Sequence, residues 1–291
     1  MRQFLADHAY SVRHSNIIFV CGGNGEADMR TRFREFALES LPEYKIYLPE
    51  YSFKNLFDVR DDGYRFLQLD KFEEVVAELS CCVVLFPEAP GSLVELGLFS
   101  ANEKIVKRLL VVVDSGYDDG KDSFISLGPV SKVNTGSEFR QVFVDAYDGF
   151  NFNKIKNRIE DRHRVSKKHK KIDLIGRKWP EISQFEKLSI VHWIVDVIRL
   201  ADVETIVFIS KSLFGNTVRK NEVVDLVSIL IGSDEFSFFG EEKWIVIGDR
   251  SAPIITAKSG EEQSLIDVKV DIANFYRDQP VFDKLVREAY S

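Results

Sequence analysis

Residues 79 to 101 read Leu-Ser-Cys-Cys-Val-Val-Leu-Phe-Pro-Glu-Ala-Pro-Gly-Ser-Leu-Val-Glu-Leu-Gly-Leu-Phe-Ser-Ala. This stretch constrains the fold more than any other. Cys81 to Phe86 is apolar without alternation, the pattern of a strand buried on both faces. Pro87 to Gly91 punctuates it as a turn. Leu93 to Lys104 then reads as a helix with Glu95 in its first turn. A buried strand that turns directly into a helix belongs to a parallel sheet. Ligands of such open sheets bind outside the carboxyl ends of the strands. Glu95 is therefore expected at the mouth of a crevice.

The same punctuation recurs along the first half of the chain. Asn16 to Val20 is a short apolar run that ends in Cys21-Gly22-Gly23-Asn24-Gly25, a strand entering a glycine loop. Residues 28 to 40 read as a helix and Tyr44 to Leu48 as a second strand. Asp70 to Leu79 carries Phe72, Val75, Val76 and Leu79 at helical spacing. Arg108 to Val113 is a fourth strand, followed by an Asp/Gly loop at 114 to 122. Strands alternating with helices imply an α/β fold with a Rossmann-like parallel sheet and right-handed crossovers. This block is expected to span residues 1–150.

Two readings of Ser92-x-x-Glu95 stand side by side. One is a capping box, in which the Ser hydroxyl and the Glu carboxylate exchange hydrogen bonds with each other's backbone amides. The other is a ligand-facing carboxylate. Gly91 permits close approach of backbone or ligand, and Gly97 weakens the helix by about 1 kcal/mol, which points to a packing or access reason. The readings are compatible, because the helix dipole keeps a carboxylate at its N-terminus ionised. Gly22-Gly23-Asn24-Gly25 likewise reads either as a plain tight turn or as a cradle whose amides face a phosphate or ribose. Arg30, Arg32 and Arg34 follow on the next helix, as phosphate contacts or as a solvated face.

Beyond residue 150 the composition changes. Between Asn151 and Lys178 there are eleven Lys/Arg against three Asp/Glu, centred on Arg162-His-Arg-Val-Ser-Lys-Lys-His-Lys-Lys171. Residues 151–178 read as a basic linker, either solvated or contacting phosphates through Lys167, Lys168, Lys170 and Lys171. From Trp179 the pattern is helical. Ser183 to Leu200 and Asp202 to Ser212 are candidate helices. A third, Val218 to Ile231, has Arg219 and Lys220 at its start. Phe236 to Phe239 and Lys243 to Ile247 then form a candidate hairpin. Three helices and a hairpin make residues 179–291 a mainly helical, winged-helix-like domain. Gly260 to Ser291 adds two helices broken at Pro280.

Composition excludes several classes. The chain has 45% hydrophobic residues, 23 of them Phe, so a sizeable core is available. There is no apolar run of membrane-spanning length and no signal-peptide pattern, so a cytoplasmic protein without membrane attachment is expected. Cys21, Cys81 and Cys82 read as buried reduced thiols, and no Cys/His spacing fits zinc, so no metal site is expected. The net charge of -7 argues against a uniformly basic surface, though not against a local basic face.

The glycine loop after the first strand, the helix that follows, and Pro90-Gly-Ser-Leu-Val-Glu-Leu-Gly-Leu-Phe-Ser100 together resemble the nucleoside 2-deoxyribosyltransferase-like superfamily and its N-glycosidase relatives. The resemblance covers about half the chain. It assigns the catalytic carboxylate to Glu95, with Gly91, Ser92 and Gly97 at matching places. It points to substrate contacts at Gly22, Gly23, Asn24, Asp70, Gly91 and Ser92. With the basic linker and the winged-helix-like tail, the chain resembles the effector proteins of bacterial retrons, the reverse-transcriptase anti-phage systems. Family transferases often carry aspartates where this chain has Ser80 and Ala89. A site with so few acids is easier to reconcile with hydrolysis than with base exchange.

The resemblance implies an antiviral toxin that cleaves the N-glycosidic bond of NAD, releasing nicotinamide, or that of nucleotides. No cofactor is expected, since NAD or the nucleotide is the substrate. The implied partners are a reverse transcriptase and its msDNA, an RNA–DNA hybrid molecule, together with a homo-oligomer or higher assembly. Nucleic acid would meet Lys167, Lys168, Lys170, Lys171, Arg219 and Lys220. Two other readings stay open: a housekeeping deoxyribosyltransferase or nucleotide hydrolase, and a DNA-binding regulator that only senses a nucleotide.

Overall fold

The computed structural model describes residues 1–11, 15–48, 50, 69–117, 123–139, 142–162, 170–172, 174, 176–277 and 279–290. The described residues of 15–48 and 66–166 form one unit, and those of 1–14, 49–65 and 167–291 a second. Helix α1 (Arg2–Asp7) and strand β1 (Ala9–Ser11) open the chain and belong to the second unit.

The first unit is an α/β sandwich. Its strands are β2 (Ile17–Cys21), β3 (Lys45–Tyr47), β4 (Cys82–Leu85), β5 (Leu109–Asp114) and β6 (Phe143–Asp145). They form one parallel sheet in the order β3-β2-β4-β5-β6. Ile18 stands between Ile46 and Cys82, and Val83 pairs with Leu109. Every residue of β2 and β4 is buried, which explains their unbroken apolar sequences. Helices α2 (Met29–Ser40), α3 (Leu69–Leu79), α4 (Pro90–Ala101), α5 (Ser131–Gly136) and α6 (Asn153–Arg162) complete the unit. Phe33, Phe86 and Phe152 pack ring to ring at 5.7 to 6.4 Å, so the aromatic residues close the core. The fourth strand falls where the sequence predicts it, ending one residue later, at Asp114. Strand β6 carries no sequence signal, being a three-residue edge strand. Helix α6 takes up the first part of the basic stretch. Its Ile155 and Ile159 are buried one turn apart, while its lysines and arginines are not.

The second unit carries the expected three helices and hairpin. These are α7 (Gln184–Ile198), α8 (Val203–Phe214) and α9 (Lys220–Gly232), then antiparallel β8 (Phe236–Phe239) and β9 (Trp244–Ile247). Helix α7 is buried nearly all round and is the centre of this core. A capping box starts it: the Ser183 hydroxyl accepts from the Glu186 amide, and the Glu186 carboxylate accepts from the Ser183 amide. Asp202 caps α8 through the Thr205 amide at 2.7 Å, so the β-branched run there is helical despite its propensity. Helices α10 (Glu262–Arg277) and α11 (Pro280–Ala289) follow, divided before Pro280.

One feature has no signal in the sequence. Strand β1 pairs with β10 (Ile255–Ala257) on one side and β7 (Lys170–Lys171) on the other, making a three-stranded antiparallel sheet. Pairings over such separations leave no local pattern to read. No described helix is long and apolar enough to cross a membrane.

Candidate active site

The strand order places the crevice. From β2 the chain passes outward to β3, then returns across β2 to β4. The direction of winding reverses between β2 and β4, and ligands of open α/β sheets bind at the carboxyl ends of strands at such a switch point. The two strand ends here are Cys21-Gly22-Gly23 and Phe86-Pro87-Glu88, joined where the Phe86 amide donates to the Cys21 carbonyl at 3.0 Å.

Helix α4 rises from this edge and begins earlier than its sequence implies. Ala89 is the N-cap and Pro90 the first helical residue, where a fixed φ and a missing N–H cost nothing. Pro-Gly is thus a helix start and not a turn. Ser92 lies inside the first turn, buried. Its hydroxyl accepts from the amides of Glu88 (3.2 Å) and Ala89 (3.0 Å) and donates to the Ala89 carbonyl (2.9 Å). The capping reading of Ser92-x-x-Glu95 is therefore corrected. Ser92 caps backward, toward residues 88 and 89, and Glu95 stands in the second turn, where it is no cap.

Glu95 is half-buried, and one of its carboxylate oxygens is shielded from solvent. The thiol of Cys21, at the end of β2, lies close enough to it for the two groups to interact. Burial pushes that thiol well above the usual cysteine range. The Glu95 and Glu73 charges push the same way, and the Arg30 guanidinium opposes them in part. A protonated Cys21 can offer its S–H to the Glu95 carboxylate. A carboxylate and the thiol that ends β2 thus meet at the switch point.

Glu73 is a site residue that sequence reasoning misses. It lies on α3 one turn after Asp70, half-buried and within electrostatic reach of Cys21. Asp70 is in the first turn of α3 and exposed. The available signal is helical spacing: Glu73 flanks the buried stripe of Phe72 and Val76 and so faces the sheet edge, whereas Asp70 faces solvent.

The glycine loop is built differently from a phosphate cradle. Glu88 places its carboxylate on the amides of Gly23 (3.0 Å), Met29 (2.8 Å) and Arg30 (3.1 Å). The anion expected at the N-terminus of α2 is thus supplied by the chain itself. Asp28, at the N-cap position, bonds the Gly25 amide instead, at 2.7 Å. A Cβ on Gly22 would stand 2.7 Å from both the Arg30 Cβ and the Glu88 carboxylate. That explains the glycine as close approach of strand end, helix and carboxylate. Arg30 is buried. Arg32 donates to the Tyr147 carbonyl at 3.1 Å, so neither is a freely solvated side chain.

The remaining positions are distributed more widely. Asn24 is exposed in the loop after Gly23. Gly91, also exposed, has no atom within 4 Å of where a Cβ would sit. Ser80 is buried at the amino end of β4, the edge opposite Glu95, where its hydroxyl donates to the Val76 carbonyl at 2.7 Å. Position 80 therefore supplies no side chain to the crevice. Lys167 and Lys168, with the tip of the Asp/Gly loop at 118–122, lie outside the described residues. Lys171 is exposed in β7, Arg219 is exposed at the N-cap of α9, and Lys220 pairs with Glu204. Among the described residues, no three His, Cys, Asp or Glu side chains cluster as metal ligands.

Comparison with known proteins gives two matches. An Escherichia coli protein named "Retron Ec86 putative ribosyltransferase/DNA-binding protein" is 36% identical over 128 residues, covering 42% of this chain and 40% of that one. The chain thus matches about two fifths of that relative's length. Residues 26–236 match the family described as STM3845 retron effector protein, a span that takes in α2, the Glu95 helix, the basic stretch and the three helices of the second unit. Since that match covers more than two thirds of the chain, the protein belongs to the STM3845 family of retron effector proteins.

Proposed function

We propose that this effector is an N-glycosidase that cleaves the ribosyl C1′–N bond of NAD, or of a nucleotide, with Glu95 as its catalytic carboxylate. The observation that carries the reading is the position of Glu95. It is a half-buried carboxylate at the switch point of the sheet, beside the Cys21 thiol and set on a helix whose start is fixed by Pro90 and Ser92. The name of the Escherichia coli relative, which includes ribosyltransferase, points to the same bond class.

The chemistry needs few groups. As the C1′–N bond breaks, its electron pair leaves with the base and positive charge builds on the sugar, as on a glycosidase oxocarbenium ion. Glu95 stabilises that charge or attacks C1′. Water then adds to C1′ and loses a proton. Nicotinamide leaves NAD as a neutral base from a cationic ring, so no general acid is required for that substrate. Glu73 adds a second carboxylate beside Cys21 and raises the negative potential of the crevice. The amides capped by Glu88 are not available to a phosphate, so substrate phosphates bind elsewhere along the crevice.

In this reading the toxin is held in check by a reverse transcriptase and its msDNA, bound through the basic stretch and the second unit. The words DNA-binding in the relative's name support a nucleic-acid role for that part of the chain. Glu95→Gln is the test: turnover should fall about a thousandfold, in line with the loss of one preorganised electrostatic group, while substrate still binds. Base release at the parent rate would remove Glu95 from the mechanism. Absence of base release from the parent as well would leave the nucleotide-sensing regulator as the better description.

A further inference from the structure

The second unit contains a cavity of about 530 Å³ that none of the site residues above lines. Four cationic residues border it: Arg2 of α1, Arg177 and Lys178 of the segment before α7, and Lys211 near the end of α8. Among the described residues no carboxylate lines it. Arg177 is held by Glu186 at 3.5 Å and by the Glu181 carbonyl. Arg2, Lys178 and Lys211 have no described carboxylate within ion-pair distance. Cations gathered around one concavity repel one another, and an anion relieves that repulsion. Part of the remaining lining is apolar: Leu5 and Leu174 are buried, and Phe214 is half-buried, with its ring 5.4 Å from Trp179, while Ser212 adds a hydroxyl. The volume falls within the range of small-molecule sites, about 300–1,000 Å³.

We propose that this cavity binds a nucleotide. The phosphate lies among Arg2, Lys178 and Lys211, and the base lies against Leu5, Leu174 and Phe214. A bare anion would use the cations and leave the apolar wall idle, whereas an apolar ligand would leave the cations unneutralised. A nucleotide matches both halves. It is either a free nucleotide or one residue of a nucleic-acid strand. This assignment does not rest on the catalytic reading of Glu95, which belongs to the other unit.

The test uses the full chain and the double variant Lys178→Ala/Lys211→Ala, with Lys132→Ala in the first unit as control. A fluorescein-labelled 12-residue oligothymidylate is titrated by anisotropy at low salt, then displaced with ATP or with inorganic phosphate. Thermal melting verifies that the variants fold. The expected result is at least tenfold weaker binding in the double variant, as two charge-assisted hydrogen bonds require, and no weakening in the control. If ATP binds directly and displaces the oligonucleotide, a free nucleotide is the ligand. If only the oligonucleotide binds, with weakening in the double variant, the ligand is a nucleotide within a strand. Displacement by inorganic phosphate as effective as that by ATP would overturn the nucleotide assignment, since the apolar wall would contribute nothing. Unchanged binding in the double variant, or no binding of either probe, would overturn the site itself.

Discussion

At the scale of single residues, two carboxylates seven positions apart do different work. Glu88 satisfies the amides of Gly23, Met29 and Arg30, whereas Glu95 stands beside the Cys21 thiol in the second turn of α4. Glu88→Ala should therefore lower stability by about 2 kcal/mol, the loss of a helix cap plus amides left unsatisfied, read as a shift in the denaturant midpoint. Glu95→Gln, which caps no helix start, should shift that midpoint less than Glu88→Ala does. A Glu88→Ala chain as stable as the parent would mean that water replaces the carboxylate at no cost. The cysteines make a second prediction. Burial pushes Cys21 and Cys82 well up and Cys81 up to about 12. Their folded pKa values lie above the unfolded value of about 8.5, so the stability they contribute is complete below that pH and lost as pH rises. Each thiol steepens the loss by about 1.4 kcal/mol per pH unit, so stability should fall sharply from roughly pH 9 toward 12. A Cys81→Ala/Cys82→Ala chain should show a shallower fall in urea titrations across that range. An equal slope would assign the alkaline loss to other groups. The role proposed for Glu95 comes from its motif. Glu73 has only its helical spacing beside Phe72 and Val76 to mark it, and that spacing does not by itself tell a residue at the sheet edge from one at the rim of a solvated face.

At the scale of elements, the starting point of α4 decides where Glu95 points. The sequence places Glu95 one turn too early, because Pro90-Gly91 carries a turn signal as strong as its helix-start signal. The structure resolves the ambiguity through Ser92, whose hydroxyl gathers the amides of residues 88 and 89. Ser92→Ala should cost about 1–2 kcal/mol in stability and, on the proposed mechanism, also lower kcat, because the first turn positions the helix that bears Glu95. A drop in stability with kcat intact would show that the second turn keeps its place without the Ser92 hydrogen bonds. Strand and helix positions in the first unit are legible wherever two-sided burial gives unbroken apolar runs, as in β2, β4 and β5. Strand β6 and the sheet of β1, β7 and β10 are not, since short strands paired with distant partners lack a local period.

At the scale of the whole molecule, the chain joins an α/β unit to a second unit rich in helix, and their chemistries differ. The first presents carboxylates at a sheet edge; the second presents cations around an apolar-walled cavity. The basic stretch should contribute salt-sensitive affinity for structured RNA–DNA. Neutral substitutions at Lys167, Lys168, Lys170 and Lys171 should weaken binding and flatten the dependence on salt by about 0.7 to 0.9 for each phosphate that is no longer neutralised. A slope identical to that of the parent would return these lysines to a solvated face.

The most direct measurement is base release. The purified chain, alone and co-expressed with its genomic neighbours, is incubated with NAD and a panel of nucleotides, and free base is followed by chromatography. Nicotinamide or nucleobase release that depends on the state of the neighbours and vanishes in Glu95→Gln is the outcome expected of a restrained N-glycosidase effector. Absence of base release from every substrate in both settings, or release that persists undiminished in Glu95→Gln, would contradict it.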